Sequence, residues 1–427
     1  MKIKYFLLLL AGSMLVGCGG GSSSDTTTTE VSEVPALAPT AITAFYGDKL
    51  EDRVVIMDVN NMEFKSEVYT TGLDPYPVDQ AGKLDKMYAI TRGSESIDVI
   101  DALTYEKIGL IELQHTPRSS EAYNETLGLQ LVTGSNKPMA SLIDVATDTV
   151  VAFVGINEEF SVEDYGGSNA TGHPFWFADD KFALIDRPNR KIEVYTIVKN
   201  DDGGFTTSLF SSVTTPTAVH HFVKRDNSDN IFYALAEGAP DRGISPSILK
   251  YSLSDTALTF ETETALSTDI ETIPFMGSHH ADMHPDGVQI YVGSLEGNLY
   301  VLDTNTMSIT GSIPTGAGTG HTTFVPEREI AVVTNHNDTY LTIVDTNTNT
   351  FIKNVTVSGD QINDAILQSH STFIEPNMDF FYAFATDNGI FYELDLETLE
   401  VSRTVETGGT PLQGTFMCEG EGCVNLM

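Results

Sequence analysis

Five histidines recur at one position of a repeated pattern in this chain of 427 residues. All ten histidines lie beyond residue 114. When the repeats are aligned on their first predicted strand, five of the ten coincide: His173, His220, His280, His321 and His370. An apolar residue follows each of them three positions later, and a turn follows six or seven positions later. The pattern therefore predicts five consecutive repeats that each place an imidazole at the start of the innermost strand.

Imidazole chemistry allows three interpretations of this ring. The first is a packing or capping histidine copied with the repeat, although the neighbouring positions have diverged (Pro174, His221, Ala281, Thr322 and Ser371). The second is a metal site, because neutral imidazole is a leading ligand of zinc, copper and nickel, and three or four converging imidazoles suit Zn²⁺. The third is acid–base or metal-assisted catalysis at the same face, as in a hydrolase or lyase.

The other histidines differ in their relation to the ring. His221 and His279 neighbour ring positions and could extend the site. His284 and His336 lie in or after the first two strands of their repeats, so we expect them at the surface and outside the site. His115 precedes its aligned position by five residues. Carboxylates near the ring could complete a coordination shell or orient an imidazole: Asp282, Glu163, Asp164 and Asp364.

The elements that must position the ring are short strands in groups of four. An apolar-apolar-Asp pattern ends the third strand of each group, and we expect the Asp side chain to cap the following turn. It occurs six times, at Asp58, Asp101, Asp144, Asp303, Asp345 and Asp395, with divergent copies at Thr196 and Ser252. No helical periodicity competes with the alternating, Val/Ile/Tyr/Phe-rich runs between the copies. Eight copies predict an all-β, eight-bladed β-propeller; a seven-bladed ring would require one divergent copy to be something else.

The two ends of the chain are predicted to share one blade. Residues 41–72 supply only three strands, and the segment from Gln413 to Phe416 resembles the first strand of other repeats. Pairing of these N- and C-terminal strands would close the ring and remove its free edges. The predicted blades are 41–72 with 409–418, 74–113, 115–155, 173–213, 220–266, 279–315, 321–357 and 370–405. Residues 41–427 are therefore expected to form a single propeller domain.

The start of the chain is predicted to be an export signal. Residues 1–18 combine Lys2 and Lys4, an apolar core and a small-residue cleavage site that ends in Cys18. The last four residues resemble the bacterial lipobox, which implies a lipoprotein acylated at Cys18; a soluble secretory signal with an incidental cysteine is the alternative. Gly19 follows the cysteine, which by the sorting rule of that class implies the outer membrane. Residues 19–40 are small and polar, so we expect a flexible tether.

Charge and cysteine content narrow the function further. With 60 Asp and Glu against 23 Lys and Arg, the net charge of −37 disfavours nucleic acid, which needs a basic surface. Cys418 and Cys423 are close in sequence, and in an oxidising compartment we expect them to form a disulfide. The chain contains no CxxCH, P-loop, HExxH or nucleophile-elbow motif.

The repeat resembles the YVTN-type propeller repeats of exported bacterial proteins. The similarity covers residues from about 41 to 418 and is sharp at 279–350, where Pro285-Asp-Gly, Tyr291-Val292 and Val332-Val-Thr-Asn335 stand. It specifies the fold better than the activity. Some related propellers are lyases or lactonases, so an enzyme stays open, as does a metal-free scaffold for protein interactions.

With its histidine ring, the chain also resembles the periplasmic zinc-chaperone propellers that pass Zn²⁺ to the binding protein of an importer. This resemblance implies zinc, or another transition metal, as cargo and a periplasmic metal-binding or importer protein as partner. The sequence has no His-rich flexible segment, which departs from that class. We expect a monomer in the cell envelope, with the propeller facing the periplasm or exposed at the cell surface.

Overall fold

Eight antiparallel sheets of four strands each form an eight-bladed β-propeller in the computed structural model, which describes residues 41–160, 169–225, 230–239, 242–266, 277–278 and 280–419. The predicted fold class is confirmed. The predicted signal (1–18) and tether (19–40) lie outside the described residues. Within the described segments, no helix is long and apolar enough to cross a bilayer. A three-residue 3₁₀ helix, Pro326–Arg328, joins two strands of one blade.

Each blade runs from an innermost strand at the channel to an outermost strand at the rim. Blade 1 begins with the last strand of the chain. The strands of blades 1 to 4 are β1 (Ala41–Asp48), β2 (Arg53–Asp58), β3 (Glu63–Tyr69), β4 (Pro75–Gln80), β5 (Lys86–Thr91), β6 (Ser96–Asp101), β7 (Lys107–Glu112), β8 (Pro117–Asn124), β9 (Leu129–Gly134), β10 (Met139–Asp144), β11 (Thr149–Gly155), β12 (Phe175–Ala178), β13 (Lys181–Asp186), β14 (Lys191–Lys199) and β15 (Phe205–Thr214).

Blades 5 to 8 repeat the plan. Their strands, with the one that returns to blade 1, are β16 (Val219–Lys224), β17 (Ile231–Ala236), β18 (Ser247–Leu253), β19 (Leu258–Ala265), β20 (His280–Met283), β21 (Gln289–Ser294), β22 (Asn298–Asp303), β23 (Ser308–Pro314), β24 (Thr319–Val325), β25 (Ile330–Asn335), β26 (Tyr340–Asp345), β27 (Thr350–Thr356), β28 (Phe373–Ile374), β29 (Phe380–Ala385), β30 (Ile390–Asp395), β31 (Glu400–Glu406) and β32 (Pro411–Glu419).

The hydrophobic core lies between neighbouring blades. The second and third strands are covered on both faces and read as continuous apolar runs, whereas the outermost strand is mostly exposed, as in β5, β6 and β7. Between blades 4 and 5, Phe177 and Ile185 pack with Phe222 and Leu249. Because each sheet is buried against two neighbours, the innermost strands are fixed in a ring around the channel.

The ring is closed as the sequence predicts. Strand β32 pairs antiparallel with β1 in a sheet ordered β3-β2-β1-β32, with Gly414 opposite Tyr46. Both strands approach closely here, since a Cβ on Gly414 would lie 1.9 Å from the carbonyl oxygen of Phe45. The N-terminal strands therefore have no free inner edge.

The predicted aspartate turns are also present. Asp101 Oδ1 accepts backbone N–H groups from Leu103 and Thr104 at 2.9 and 2.7 Å. Asp303 caps Asn305 and Thr306 in the same way, at 3.0 and 2.8 Å. The two divergent copies have Thr196 and Ser252 in place of this Asp. Their third strands continue beyond that position, since β14 extends to Lys199 and β18 to Leu253.

Candidate metal centre

The five predicted histidines lie at one mouth of the channel. His220, His280 and His321 belong to the innermost strands β16, β20 and β24. His173 and His370 precede β12 and β28 by two and three residues, so these two are presented by loops. Backbone hydrogen bonds between blades hold the loops, from His173 N to His220 O at 2.8 Å and from His370 N to Leu412 O at 3.0 Å.

The imidazoles form one continuous cluster across five blades. The ring centroids of His173 and His220 are 4.8 Å apart, and those of His220 and His280 are 5.9 Å apart. His280 then lies 3.8 Å from His321 and 5.6 Å from His370. The alignment thus identified side chains that meet in space, although up to about 200 residues separate them in sequence.

The expectation that His336 lies at the surface is wrong. This residue is only 3% exposed, and its ring stacks on that of His370 with centroids 4.2 Å apart. Its Nε2 lies 3.3 Å from Nε2 of His280. The ring fits because Gly320 has no side chain: a Cβ there would stand 2.2 Å from His336 Nε2. His336 therefore belongs to the centre of the cluster.

His336 comes from a second structural position that recurs around the channel. This position directly follows the second strand of each blade, at the end where that strand returns to the same mouth. We call the eight residues at this position the second ring. They are Lys49, Arg92, Ser135, Arg187, Glu237, Leu295, His336 and Thr386. In all but Lys49 the backbone N–H donates to a carbonyl near the start of the first strand, as from His336 to Gly318 at 2.8 Å. His336 is the only histidine among these eight residues, so repetition in the sequence does not mark it.

Three imidazoles have the spacing of a metal site. The ligand nitrogens of His280, His336 and His370 all lie within 4.8 Å of one another. Two nitrogens bound to one tetrahedral Zn²⁺ at ~2.0–2.1 Å are about 3.3–3.4 Å apart. The 3.3 Å between His280 and His336 matches this value without any movement. His321 adjoins the triad through His280 but is farther from His336, at 6.3 Å between ring centroids.

Hydrogen bonds at the far side of the rings orient the nitrogens. Nδ1 of His336 lies 3.0 Å from the carbonyl oxygen of Gln368, which can only accept. The proton therefore sits on Nδ1 and leaves the lone pair of Nε2 for a metal. Nδ1 of His220 likewise lies 2.7 Å from Glu237 Oε1, but its Nε2 faces the guanidinium donor Arg118 Nη2 at 3.4 Å. Carbonyl and carboxylate partners of this kind are typical of metal-ligating histidines.

A second imidazole pair lies beside the triad. Nε2 of His173 is 3.2 Å from Nε2 of His220, and its Nδ1 is hydrogen-bonded to Glu121. Burial, with nearby Arg118 as the next contribution, holds the pKa of His173 well below its usual value. This imidazole is therefore neutral at pH 7.

The strand ladder refines the position of His220. Phe222 pairs with Ala234, and Thr322 pairs with Val333. Ala234 and Val333 each lie three residues before the second-ring residue of their own blade. By strand pairing, therefore, His221 rather than His220 occupies the position of His321. A bulge between Val219 and Phe222 turns His220 towards the same cluster. The ring centroid of His221 lies 6.2 Å from that of His173, so both histidines of blade 5 take part.

Carboxyl groups line the channel below the imidazoles. Asp282 follows His280 by two residues on β20, so the two side chains point to the same face. Burial raises the pKa of Asp282 to about 7. The hydrogen bond that Asp282 accepts from the N–H of Thr322, at 2.8 Å, acts in the opposite direction but is the smaller effect. Burial, then the charge of Glu121, raises the pKa of Asp79 to about 7 as well. Both carboxyl groups can therefore carry a proton near neutral pH.

The remaining candidates do not join the cluster or cannot be placed. His115 is fully buried, and its Nε2 lies 2.7 Å from Ser141 Oγ, away from the imidazoles. His284 is not at the surface as expected: its side chain is only 12% exposed, and its Nδ1 accepts the N–H of Asp286 at 3.1 Å in a turn. Asp364 lines the pocket at the mouth. Four predicted residues lie outside the described part of the chain: His279, Glu163, Asp164 and Cys423. Cys418 is disulfide-bonded.

Comparison with known proteins shows the fold. No protein family and no curated protein matches the sequence. Among solved structures, the chain is similar to dihydro-heme d1 dehydrogenase NirN in complex with DHE, with a TM-score of 0.64 and 10% identity over 88% of this chain and 74% of that one. It is also similar to apo AztD from Citrobacter koseri, with a TM-score of 0.58 and 13% identity over 90% of this chain and 99% of that one. BamB from Moraxella catarrhalis is similar with a TM-score of 0.54 and 12% identity over 80% of this chain and 92% of that one. At these identities the similarity supports the propeller architecture alone.

Proposed function

We propose that this protein is an exported, lipid-anchored propeller that binds a transition metal, zinc foremost, at the histidine-lined mouth of its channel and passes it on as a metallochaperone. The observation that carries the proposal is the triad of His280, His336 and His370, whose ligand nitrogens lie within 4.8 Å of one another. Three neutral imidazoles suit Zn²⁺ and leave its fourth position open to water or to a ligand of the receiving protein. Cargo that must be released is better held by such an open site than by a closed one.

The location and the partner are further parts of this proposal. The lipobox-like sequence ending in Cys18 supports attachment to the outer membrane, with the tether at 19–40 giving the propeller reach. The receiving partner would be a periplasmic metal-binding or importer protein, and the propeller would act as a monomer. The resemblance of the chain, with its export signal and histidine ring, to zinc-chaperone propellers supports the same assignment.

A specific observation also favours a second function, a hydrolase or lyase that uses the same face. Carboxyl groups with a pKa of about 7, Asp79 and Asp282, lie in the channel that the imidazoles line. A group that titrates near the working pH is suited to general acid–base catalysis. Substitution of the clustered histidines, followed by assays of both metal binding and turnover, therefore separates a metal carrier from an enzyme.

Zinc titration of the mature protein tests the proposal. We expect one site with a Kd below about 1 μM, and His336→Ala or His280→Ala should weaken it at least about a hundredfold because each removes a ligand. His284→Gln is the matched control, since His284 caps a turn outside the cluster. Binding should weaken steeply below about pH 6, because protonated imidazole cannot bind a metal.

Other outcomes would exclude the metal carrier. Without a site tighter than micromolar for Zn²⁺ or Cu²⁺, the chaperone function would be wrong. Loss of turnover of a substrate in the same variants would then support the enzyme. Lower stability alone would leave the histidines as packing residues of a metal-free scaffold.

A further inference from the structure

Three guanidinium groups converge beside the histidine cluster on one short segment, residues 169–171. Arg92 Nη2 donates to Asn169 Oδ1 at 2.5 Å, and Arg187 Nη1 donates to the Asn169 carbonyl at 2.7 Å. Arg118 Nη1 donates to the carbonyl of Thr171. The three arginines come from blades 2, 3 and 4 and line a pocket of about 810 Å³ at the mouth. Such a concentration of positive charge is unexpected in a chain with a net charge of −37.

Most of this charge is not neutralised by carboxylates. Arg187 is paired with Glu237. In the described part of the structure, Arg92 and Arg118 have no carboxylate within 4 Å; Arg92 lies over the Tyr76 ring at 4.5 Å, and Arg118 contacts His220 at 3.3 Å. Arg118 is only 4% exposed. Holding like charges together in a buried place is costly unless an anion offsets them.

The rest of the pocket favours an organic anion. Apolar side chains also line this pocket: Leu50 and Leu412 of blade 1, and Ile366 in the loop before blade 8. Pockets of a few hundred to about 1,000 Å³ hold small organic molecules. A guanidinium binds a carboxylate through two parallel hydrogen bonds, and two arginines without a carboxylate partner call for two such groups.

We propose that the arginine side of the mouth pocket binds an organic anion that carries at least two carboxylate groups, with Arg92 and Arg118 as its binding residues. Neither arginine contacts the triad of His280, His336 and His370. The site can therefore be tested on zinc-free protein, and its failure is distinct from a failure of the metal site.

Citrate is a suitable probe, titrated by calorimetry into the zinc-free mature protein at low ionic strength. We expect a Kd at or below about 1 mM, and Arg92→Gln and Arg118→Gln should each weaken binding about tenfold or more. Arg328→Gln makes the same charge change at the opposite end of blade 7, where Arg328 pairs with Asp379 at 2.6 Å, and should leave citrate binding unchanged. Arg92 is only partly buried, so its variant decides the test even if the buried Arg118→Gln does not fold.

Three results would overturn the proposal. The first is citrate binding weaker than about 1 mM to the wild-type protein. The second is an equal loss of affinity in Arg92→Gln and Arg328→Gln, which would indicate a general charge effect. The third is inorganic phosphate that binds as tightly as citrate, because the apolar side of the pocket would then contribute nothing.

Discussion

The candidate metal centre depends on a single glycine as well as on its histidines. Gly320 stands directly before His321, and the imidazole of His336 lies across its Cα. Any side chain at 320 would occupy the place of the His336 ring. Two imidazoles of blade 7 can therefore reach the mouth together only because this position is glycine.

We predict that Gly320→Ala displaces His336 and weakens zinc binding at least about tenfold, because the new methyl group would lie 2.2 Å from Nε2. The protein should stay folded, since Gly320 has no positive φ. Gly311→Ala is the matched control, because a Cβ at that strand glycine meets no atom within 4 Å. Unchanged affinity in Gly320→Ala would show that His336 is not a ligand.

The sequence predicted the five histidines at the starts of the innermost strands but not His336 of the second ring. His173 to His370 were found because they share a position on consecutive repeats. His336 was missed because its blade is the only one with histidine after the second strand, so no repetition marks it. Its contacts with His280 and His370 arise across blade boundaries, which the sequence of one repeat cannot show. Arg92 and Arg118 were missed for the same reason.

The aspartate turns between third and fourth strands are the clearest local signal in the sequence, and the structure shows their cause. Backbone N–H donors hold the pKa of four of these carboxyl groups below the usual value: Asp101, Asp303, Asp345 and Asp395. The spacing of the turns gave the number of blades correctly. Strand bounds were less accurate where loops replace strands, as before β12 and β28.

We predict that these turns weaken in acid. A carboxyl group with a lowered pKa in the folded state stabilises that state above its unfolded pKa of about 3.9, and the contribution is lost as pH falls through the folded pKa. Replacing all four aspartates by asparagine keeps an acceptor oxygen but removes the titration. The melting temperature of the variant should therefore fall less than that of the wild-type protein between about pH 5 and pH 2. Parallel curves would contradict this assignment.

At the scale of the molecule, one strand determines whether the propeller is a closed ring. Strand β32 covers the inner edge of β1 along its whole length, from Ala41 to Asp48. It also positions Leu412, whose carbonyl accepts the N–H of His370. Closure of the ring and placement of one metal-binding candidate therefore depend on the same nine residues.

We predict that deletion of residues 411–427 lowers the melting temperature by at least about 10 °C, because it exposes the inner edge of β1. It should also weaken zinc binding through the loss of the support for His370. Deletion of residues 420–427 alone is the control, since it leaves β32 intact. Thermal unfolding followed by circular dichroism would measure the melting temperatures of both deletion variants. Equal melting temperatures for the two variants would show that β32 does not close the ring.

The shared blade also has a consequence for biogenesis. Asp48 and Thr410 are hydrogen-bonded neighbours in the finished ring but are 362 residues apart in the chain. At a synthesis rate of about 5–20 residues per second, the ribosome takes roughly 20 to 70 s to make the intervening segment. During that interval β1 has no partner on its inner side, and any nascent strand that emerges can pair with it wrongly. The propeller can therefore become native only after β32 has been made.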